Sequence, residues 1–189
     1  LLNEGSDSLT IINDKLIPAL DIVGKGFEEK KMFLPQLLMS ADAAKASFDA
    51  IKSVLSKQGR HNDTKGKIVI ATVKGDIHDI GKNIVKTLLE NYGFEMIDLG
   101  KDVPPELILQ TVLEQHVKLV GLSALMTTTV VFMEETIKLL HDNHCDCKIM
   151  VGGAVLTQEY ADMIGADFYS KDAMGSVRYA NDLYEAGEL

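Results

Sequence analysis

This sequence predicts a doubly wound α/β fold behind a helical N-terminal segment, and three observations predict it. From residue 67 onward, short apolar runs alternate with amphipathic stretches five times over. That alternation builds a parallel sheet with helices on both faces. Residues 1–58 contain no run that reads as a strand, and residues 59–66 are polar and glycine-containing, as a linker would be. The expected organisation is therefore a helical cap over 1–58, a linker over 59–66 and an α/β domain over 67–189. Right-handed crossovers make the flavodoxin-like strand order 2-1-3-4-5 the expected one.

The elements follow in order. Ile11, Ile12, Leu16, Ile17, Leu20 and Val23 recur at helical spacing, with Ser8 or Thr10 as caps and Gly24 and Gly26 as a stop. A second helix is expected over 34–57. Pro35 fits its first turn, where a missing N–H costs nothing, and Leu38, Ala41, Lys45, Phe48, Ile51, Val54 and Leu55 give it an apolar face. Beyond the linker, strands are expected at 67–73, 94–99, 119–122, 148–151 and 167–169. Helices are expected over 81–91, from Pro104-Pro105 onward, over 130–141 and 157–164, and, after the fifth strand, in a last helix running to about residue 185.

Composition narrows the function classes. With 46% hydrophobic residues, 6% aromatic residues and no Trp, the core must be packed from aliphatic side chains. The formal charge of -9 argues against a nucleic-acid partner, which normally meets a basic surface. No apolar run reaches the roughly 18 residues of a membrane span, and no basic, then apolar leader is present. Cys145 and Cys147 are separated by one residue. A disulfide there would close a very tight ring, so reduced thiols in a cytoplasmic protein are expected. The chain opens Leu1-Leu2-Asn3-Glu4-Gly5 without Met, as a piece excised from a longer protein would.

In doubly wound sheets, ligands bind beyond the carboxyl ends of the strands at the switch point. Three unusual loops fall there: Gly75-Asp76-Ile77-His78-Asp79-Ile80-Gly81 after the first strand, Ser123-Ala124-Leu125-Met126-Thr127-Thr128-Thr129 after the third, and Gly152-Gly153-Ala154-Val155 after the fourth. In the order 2-1-3-4-5 those strands are neighbours, so the loops line one surface. A neutral imidazole can bind a metal through one nitrogen while its other N–H donates to a carboxylate. Asp76 stands two residues before His78, close enough to reach back to the ring. A hydroxyl from Thr127, Thr128 or Thr129 could support Asp76 in turn. A lone Asp-x-His is most often a capped loop with a surface histidine, and it is the convergence of the three loops that favours a metal ligand at His78.

Taken together, Asp76-x-His78-x-x-Gly81, Ser123-x-Leu125 and Gly152-Gly153 resemble the three-part signature of cobalamin-binding domains that carry the cofactor base-off with a histidine on cobalt. Such domains occur in methionine synthases, in corrinoid proteins of anaerobic methyltransferase systems and in certain mutases, and the resemblance spans residues 10–185. Phe27 followed by Lys31-Met32-Phe33-Leu34-Pro35-Gln36 is similar to the helical cap of the first two groups. The resemblance implies cobalamin (methylcobalamin) as cofactor, His78 as cobalt ligand, and Asp76 with Thr129 as a proton relay, where the family often has serine at the outermost position. It implies that Phe27 and Leu34 shield the methyl group, that residues 75–81 surround the lower ligand, and that Gly152, Gly153 and Ala154 leave room for the nucleotide tail. Ser123 and Thr127 would hydrogen-bond the tail or corrin edge, Leu125 would belong to the cofactor-binding set, and Ala173 would lie near the tail's base.

The runs at 71–76 and 33–36 look closest to methionine synthases. The expected function is therefore a carrier module cycling between cobalt(I) and methyl-cobalt(III), passing a methyl group from methyltetrahydrofolate to homocysteine. It would work with methyl-donor and methyl-acceptor domains and a reactivation partner, and would act alone only as a methyl carrier. The alternatives are a stand-alone corrinoid protein for methylamine- or methanol-type methyltransferases and a cobalamin-dependent sensor. A phosphoacceptor domain would need an aspartate where the third strand ends in Ser123, and a dinucleotide-binding domain would need a G-x-G-x-x-G after the first strand. His141-x-x-His144-Cys145-x-Cys147 has zinc-type ligands at a non-standard spacing, and a plain surface turn is the preferred reading.

Overall fold

A computed structural model of the protein describes residues 11–57 and 64–189. The chain divides into two compact units with the break at Thr64/Lys65, Glu90–Tyr92 being grouped with the first. The expected caps Ser8 and Thr10, and residues 58–63 of the expected linker, lie outside the described residues.

In the helical unit a π-helical turn, Ile12–Leu16, leads into α1 (Ile17–Glu28). Gly24 and Gly26 do not stop this helix, which continues through both. They serve packing instead: Gly24 is buried, and a Cβ on Gly26 would stand 3.2 Å from Met32 Sδ. The helix ends where Lys30 turns to a left-handed φ of 58°. Helix α2 (Leu34–Lys57) occupies the expected span, and Gln36 Oε1 accepts the Phe33 N–H at 2.8 Å at its start. Among its described side chains the buried ones are Leu37, Ala41, Ala44 and Ile51, spaced at helical intervals along one face.

The second unit is a five-stranded parallel sheet in the order β2-β1-β3-β4-β5. Its elements are β1 (Lys67–Val73), α3 (Ile80–Asn91), β2 (Glu95–Val103), α4 (Pro105–Gln115), β3 (Leu119–Ser123), α5 (Val130–Asp142), β4 (Lys148–Gly152), α6 (Gln158–Met163), β5 (Phe168–Ser170) and α7 (Ala173–Glu185). Strand β1 sits in the middle and is buried from Ile68 to Val73. Val69, Ala71 and Val73 join Val120, Leu122, Ile149 and Val151 in one cluster, which takes in Ile108 and Val112 of α4 and Val130, Met133, Ile137 and Leu140 of α5. Ile68, Ile70, Leu119 and Met150, of opposite parity, are equally buried. A sheet covered on both faces needs such continuous apolar strands, which is why the runs could be read without a period-two pattern.

Two departures from the expected elements bear on the site. Strand β2 runs on to Val103 instead of ending at residue 99, and its pairing with β1 slips twice, between Ile70 and Ala71 and between Ala71 and Val73. A bulged edge strand bends and re-aims its side chains, and here it carries Asp102 beside the end of β1. The loops after β3 and β4 also meet closely. Ala124 N–H donates to Gly152 O at 3.2 Å, and a Cβ on Gly153, whose φ is 148°, would fall 1.8 Å from Ala124 O. Gly153 is thus required by the protein's own backbone.

Gly153→Ala should therefore lower the unfolding free energy by about 2 kcal/mol or more, because the backbone must shift to relieve the overlap. Gly152→Ala is the control. Its Cβ would meet only Ser170 O at 3.4 Å, and it should stay within about 1 kcal/mol. Urea unfolding followed by circular dichroism measures both.

Candidate functional site

The site is built around a buried carboxylate. Asp76 follows the turn at Lys74-Gly75, where Gly75 has φ 79° and Asp76 N–H donates to Val73 O at 3.1 Å. The Asp76 side chain has no solvent exposure. Its Oδ1 accepts the His78 backbone N–H at 3.0 Å, the Asx-turn geometry that Asp favours, and contacts His78 Nδ1 at 2.8 Å. Its Oδ2 accepts the N–H groups of Leu125 at 2.7 Å and Met126 at 3.2 Å and the Thr129 hydroxyl at 2.9 Å. Burial pushes the Asp76 pKa up, but hydrogen bonds from His78, Leu125 and Thr129 outweigh it and hold the carboxyl well below the usual carboxylate range.

An ionised carboxylate only accepts hydrogen bonds. His78 Nδ1 must therefore carry the proton, and in the neutral ring Nε2 keeps its lone pair. Of the three hydroxyls that the sequence offered, Thr129 takes the relay position: it is buried, whereas Thr127 and Thr128 are exposed. Thr129 Oγ1 also lies 2.9 Å from Met126 O, but its single proton goes to the charged acceptor, the stronger of the two.

The imidazole itself is open, with 45% of its side chain exposed, and apolar side chains stand beside it in sequence and across the loops. Ile77, Ile80 and Leu125 are 63%, 77% and 41% exposed. Side chains of that size are normally covered, so an apolar rim around a half-exposed imidazole marks a binding surface. A Cβ on Gly81 would meet no atom within 4 Å. The protein itself does not require glycine there, whereas a ligand approaching the start of α3 would.

The remaining expected residues fall as follows. Ser123 ends β3 half-buried, Gly152 ends β4, Ala154 is exposed beyond Gly153, and Ala173 begins α7 half-buried. Asp79 immediately precedes α3, and its carbonyl accepts the Asn83 N–H at 2.8 Å. Phe27 and Leu34, both half-buried, belong to the helical unit, near the end of α1 and at the start of α2.

Sequence reasoning missed a second polar cluster, on β2. Lys82 is buried and donates to Asp98 Oδ1 at 2.6 Å, and Lys86 reaches Asp98 Oδ2 at 3.1 Å. Gly100 N–H also donates to Asp98 Oδ1, at 2.9 Å. Burial raises the Asp98 pKa, but these donors, Lys82 foremost, bring it below its usual value. Gly100 inside a strand run was the available signal, since such a glycine often marks a bulge.

Among the described residues no three His, Cys, Asp or Glu side chains gather into a metal-binding group. The turn with His141, His144, Cys145 and Cys147 therefore forms no zinc site there. Both cysteines are free, and burial pushes up both thiols, Cys147 to about 12, so both stay protonated and unreactive. By the same token a metal at His78 must bring its other ligands with it. Among the described residues no helix is long and apolar enough to cross a membrane.

Fold and site together define a doubly wound ligand-binding domain whose strand-end loops present an oriented imidazole on an apolar rim. The chain matches the B12 binding domain over residues 66–178 and a second B12 binding domain over residues 1–52. It belongs to the cobalamin (B12)-binding family, and cobalamin is its cofactor. It is 42% identical to dimethylamine corrinoid protein 1 of Methanosarcina acetivorans over 94% of this chain and 84% of that one. A chain of the methanol:cobalamin methyltransferase complex of Methanosarcina barkeri superposes with a TM-score of 0.82 at 31% identity, covering 98% of this chain and 70% of that one. A cobalamin-binding protein of Desulfitobacterium hafniense superposes with a TM-score of 0.76 at 34% identity, covering 86% and 77%.

Removing the carboxylate should be costly. Asp76→Ala strands the donors of Leu125, Met126 and Thr129 and should lower stability at pH 7 by about 3 kcal/mol. Because the folded carboxyl has a depressed pKa, its contribution is full above the unfolded value of about 3.9 and is lost as pH falls toward the folded value. The stability gap between the unsubstituted protein and Asp76→Ala should therefore narrow once pH drops below about 5, read by urea unfolding across pH 7 to 3.

Proposed function

We propose that this chain is the corrinoid methyl carrier of a methylamine- or methanol-type methyltransferase system, with His78 as the residue that would hold the cobalt. The observation that carries this reading is the Asp76–His78 pair, since the 2.8 Å contact to Nδ1 leaves the Nε2 lone pair free on a ring whose side chain is half-exposed. The site's residues fit the group. A single imidazole suits a metal whose other ligands come from a macrocycle, and Ile77, Ile80 and Leu125 suit its apolar face. Relatives described as a dimethylamine corrinoid protein and a methanol:cobalamin methyltransferase favour this reading over transfer from methyltetrahydrofolate to homocysteine.

When bound, cobalamin supplies a cobalt centre able to accept a methyl group from one partner and release it to another. The protein's residues set the conditions for that exchange. Asp76 holds the proton at His78 Nδ1 and so fixes the tautomer and orientation of the ring. Thr129, Leu125 and Met126 hold Asp76 in turn, so that a change in charge at the ring is met by fixed donors. The apolar rim of Ile77, Ile80 and Leu125 offers a surface that a bound macrocycle would cover. Ser123, Thr127, Gly152, Ala154 and Ala173 are assigned to the nucleotide tail and corrin edge, and Phe27 and Leu34 to the methyl-bearing face, on the family resemblance. The partners this function needs are methyl-donor and methyl-acceptor domains or subunits and a reactivation partner.

The test is to load the protein with cobalamin and record the electron paramagnetic resonance spectrum of the cobalt(II) form. Splitting from one protein nitrogen is expected in the unsubstituted protein and should vanish in His78→Gly. Unchanged coordination in that variant would sink the assignment. Phe27→Ala should speed photolysis of bound methylcobalamin several-fold, and an unaltered rate would remove Phe27 from methyl shielding.

A further inference from the structure

Asp102 lies on the edge strand β2, outside the loops that hold His78, yet it makes two bonds to them. Its backbone N–H donates to Asp76 O at 2.9 Å, and its carboxylate Oδ1 accepts the Gly75 N–H at 2.6 Å. The two contacts bracket one peptide unit, Gly75–Asp76, immediately before the Asp76 side chain enters its buried site. Asp102 reaches that position with a left-handed φ of 55°. A non-glycine residue held there carries strain that surrounding structure must impose, and Asp is among the side chains that bear it best. The second pairing slip between β1 and β2 falls between Gly100 and Val103, so the bulge is what aims Asp102 at the loop. The bulge is anchored on its other side. Asp98 accepts Gly100 N–H and is tied to α3 by buried Lys82 and by Lys86. Helix α3 begins two residues after His78, so the loop is held at one end by Asp102 and at the other by a helix fastened to the same strand.

We propose that Asp102 is a positioning residue for the cobalt ligand: it clamps the Gly75–Asp76 peptide and thereby sets how firmly the His78 imidazole is presented. This role rests on the axial function proposed for His78. Outer groups that orient a metal-ligating histidine typically change metal affinity about 10- to 100-fold when removed, and Asp102 acts one bond further out, through Asp76.

Three variants separate the contributions. Asp102→Asn keeps an acceptor oxygen and tolerates the left-handed backbone. Asp102→Gly keeps the backbone freedom and removes the acceptor. Asp102→Ala removes both. Two readouts are taken: the histidine-on to histidine-off ratio in the cobalt(II) spectrum of the cobalamin-loaded protein, and amide hydrogen exchange at Gly75 in the cofactor-free protein, compared with exchange in the β1 core. Asp102→Gly and Asp102→Ala should shift the ratio toward histidine-off about 10-fold and speed Gly75 exchange by a similar factor, with the core unchanged. Asp102→Asn should stay near the unsubstituted protein in both. Retention of the ratio and of Gly75 protection in Asp102→Gly would overturn the clamp, as would equal losses in Asp102→Asn and Asp102→Gly. If the unsubstituted protein showed no nitrogen on cobalt, the axial role of His78 would fall and this role with it. A normal spectrum that Asp102→Gly leaves intact overturns the clamp alone.

Discussion

A carboxylate with no solvent exposure must find donors for both of its oxygens, and Asp76 finds them on two loops. His78 supplies two from within its own turn, while Leu125, Met126 and Thr129 supply three from the loop after β3. Leaving any of these unmade would expose the protein to the cost of a buried unpaired charge. The conformation of both loops is therefore tied to one side chain. The same bonds decide the chemistry of the imidazole. A carboxylate kept ionised by donors from four residues can only accept, so it selects the Nδ1–H tautomer and leaves Nε2 free. Loop geometry and ligand chemistry are two consequences of a single burial.

The sheet makes this possible by topology. In the order 2-1-3-4-5, β1 and β3 are hydrogen-bonded neighbours, so the loops beyond their carboxyl ends start side by side and can share a carboxylate. Strand β4 pairs with β3 and brings Gly153 under Ala124, where no side chain would fit. On the other flank the edge strand is bulged and contributes Asp102. Four consecutive strands thus end in one polar and backbone network beneath an apolar rim of Ile77, Ile80 and Leu125. Fold alone does not decide function, since doubly wound sheets host many chemistries. The feature that carries the proposed reading is an oriented imidazole without companion ligands among the described residues, which suits a metal delivered inside a macrocycle.

Much of this was legible in the chain. The continuous apolar runs marked buried parallel strands, and Pro105, Thr157 and Asp172 stand at the starts of their helices as their chemistry requires, the last two accepting N–H bonds from Tyr160 and Gly175. Asp76, His78 and a threonine partner could be proposed from spacing. Other features were not legible. Gly24 and Gly26 look like a helix stop, yet they serve close packing inside α1, because tertiary contact overrides local propensity. Gly153 reads as room for a cofactor tail, and its close approach to Ala124 O, a second demand for glycine there, could not be seen along the chain. Nothing along the chain separates Thr129 from Thr127 and Thr128 as the partner of Asp76. That choice depends on which hydroxyl α5 turns inward.

The sequence by itself determined the fold class, the strand order and the residue types of the site, because periodicity, helix punctuation and the Asp-x-His spacing are local properties. It also carried the resemblance that pointed to cobalamin. Only the tertiary structure decided that Asp76 is fully buried and bonded to two loops, that Thr129 alone of its three neighbours supports it, and that Asp102 reaches across from β2. The contacts made there to Leu125, Met126, Thr129 and Asp102 join residues 26 to 53 positions apart. They depend on strand register and on two slips in the pairing of an edge strand, quantities that no local pattern encodes.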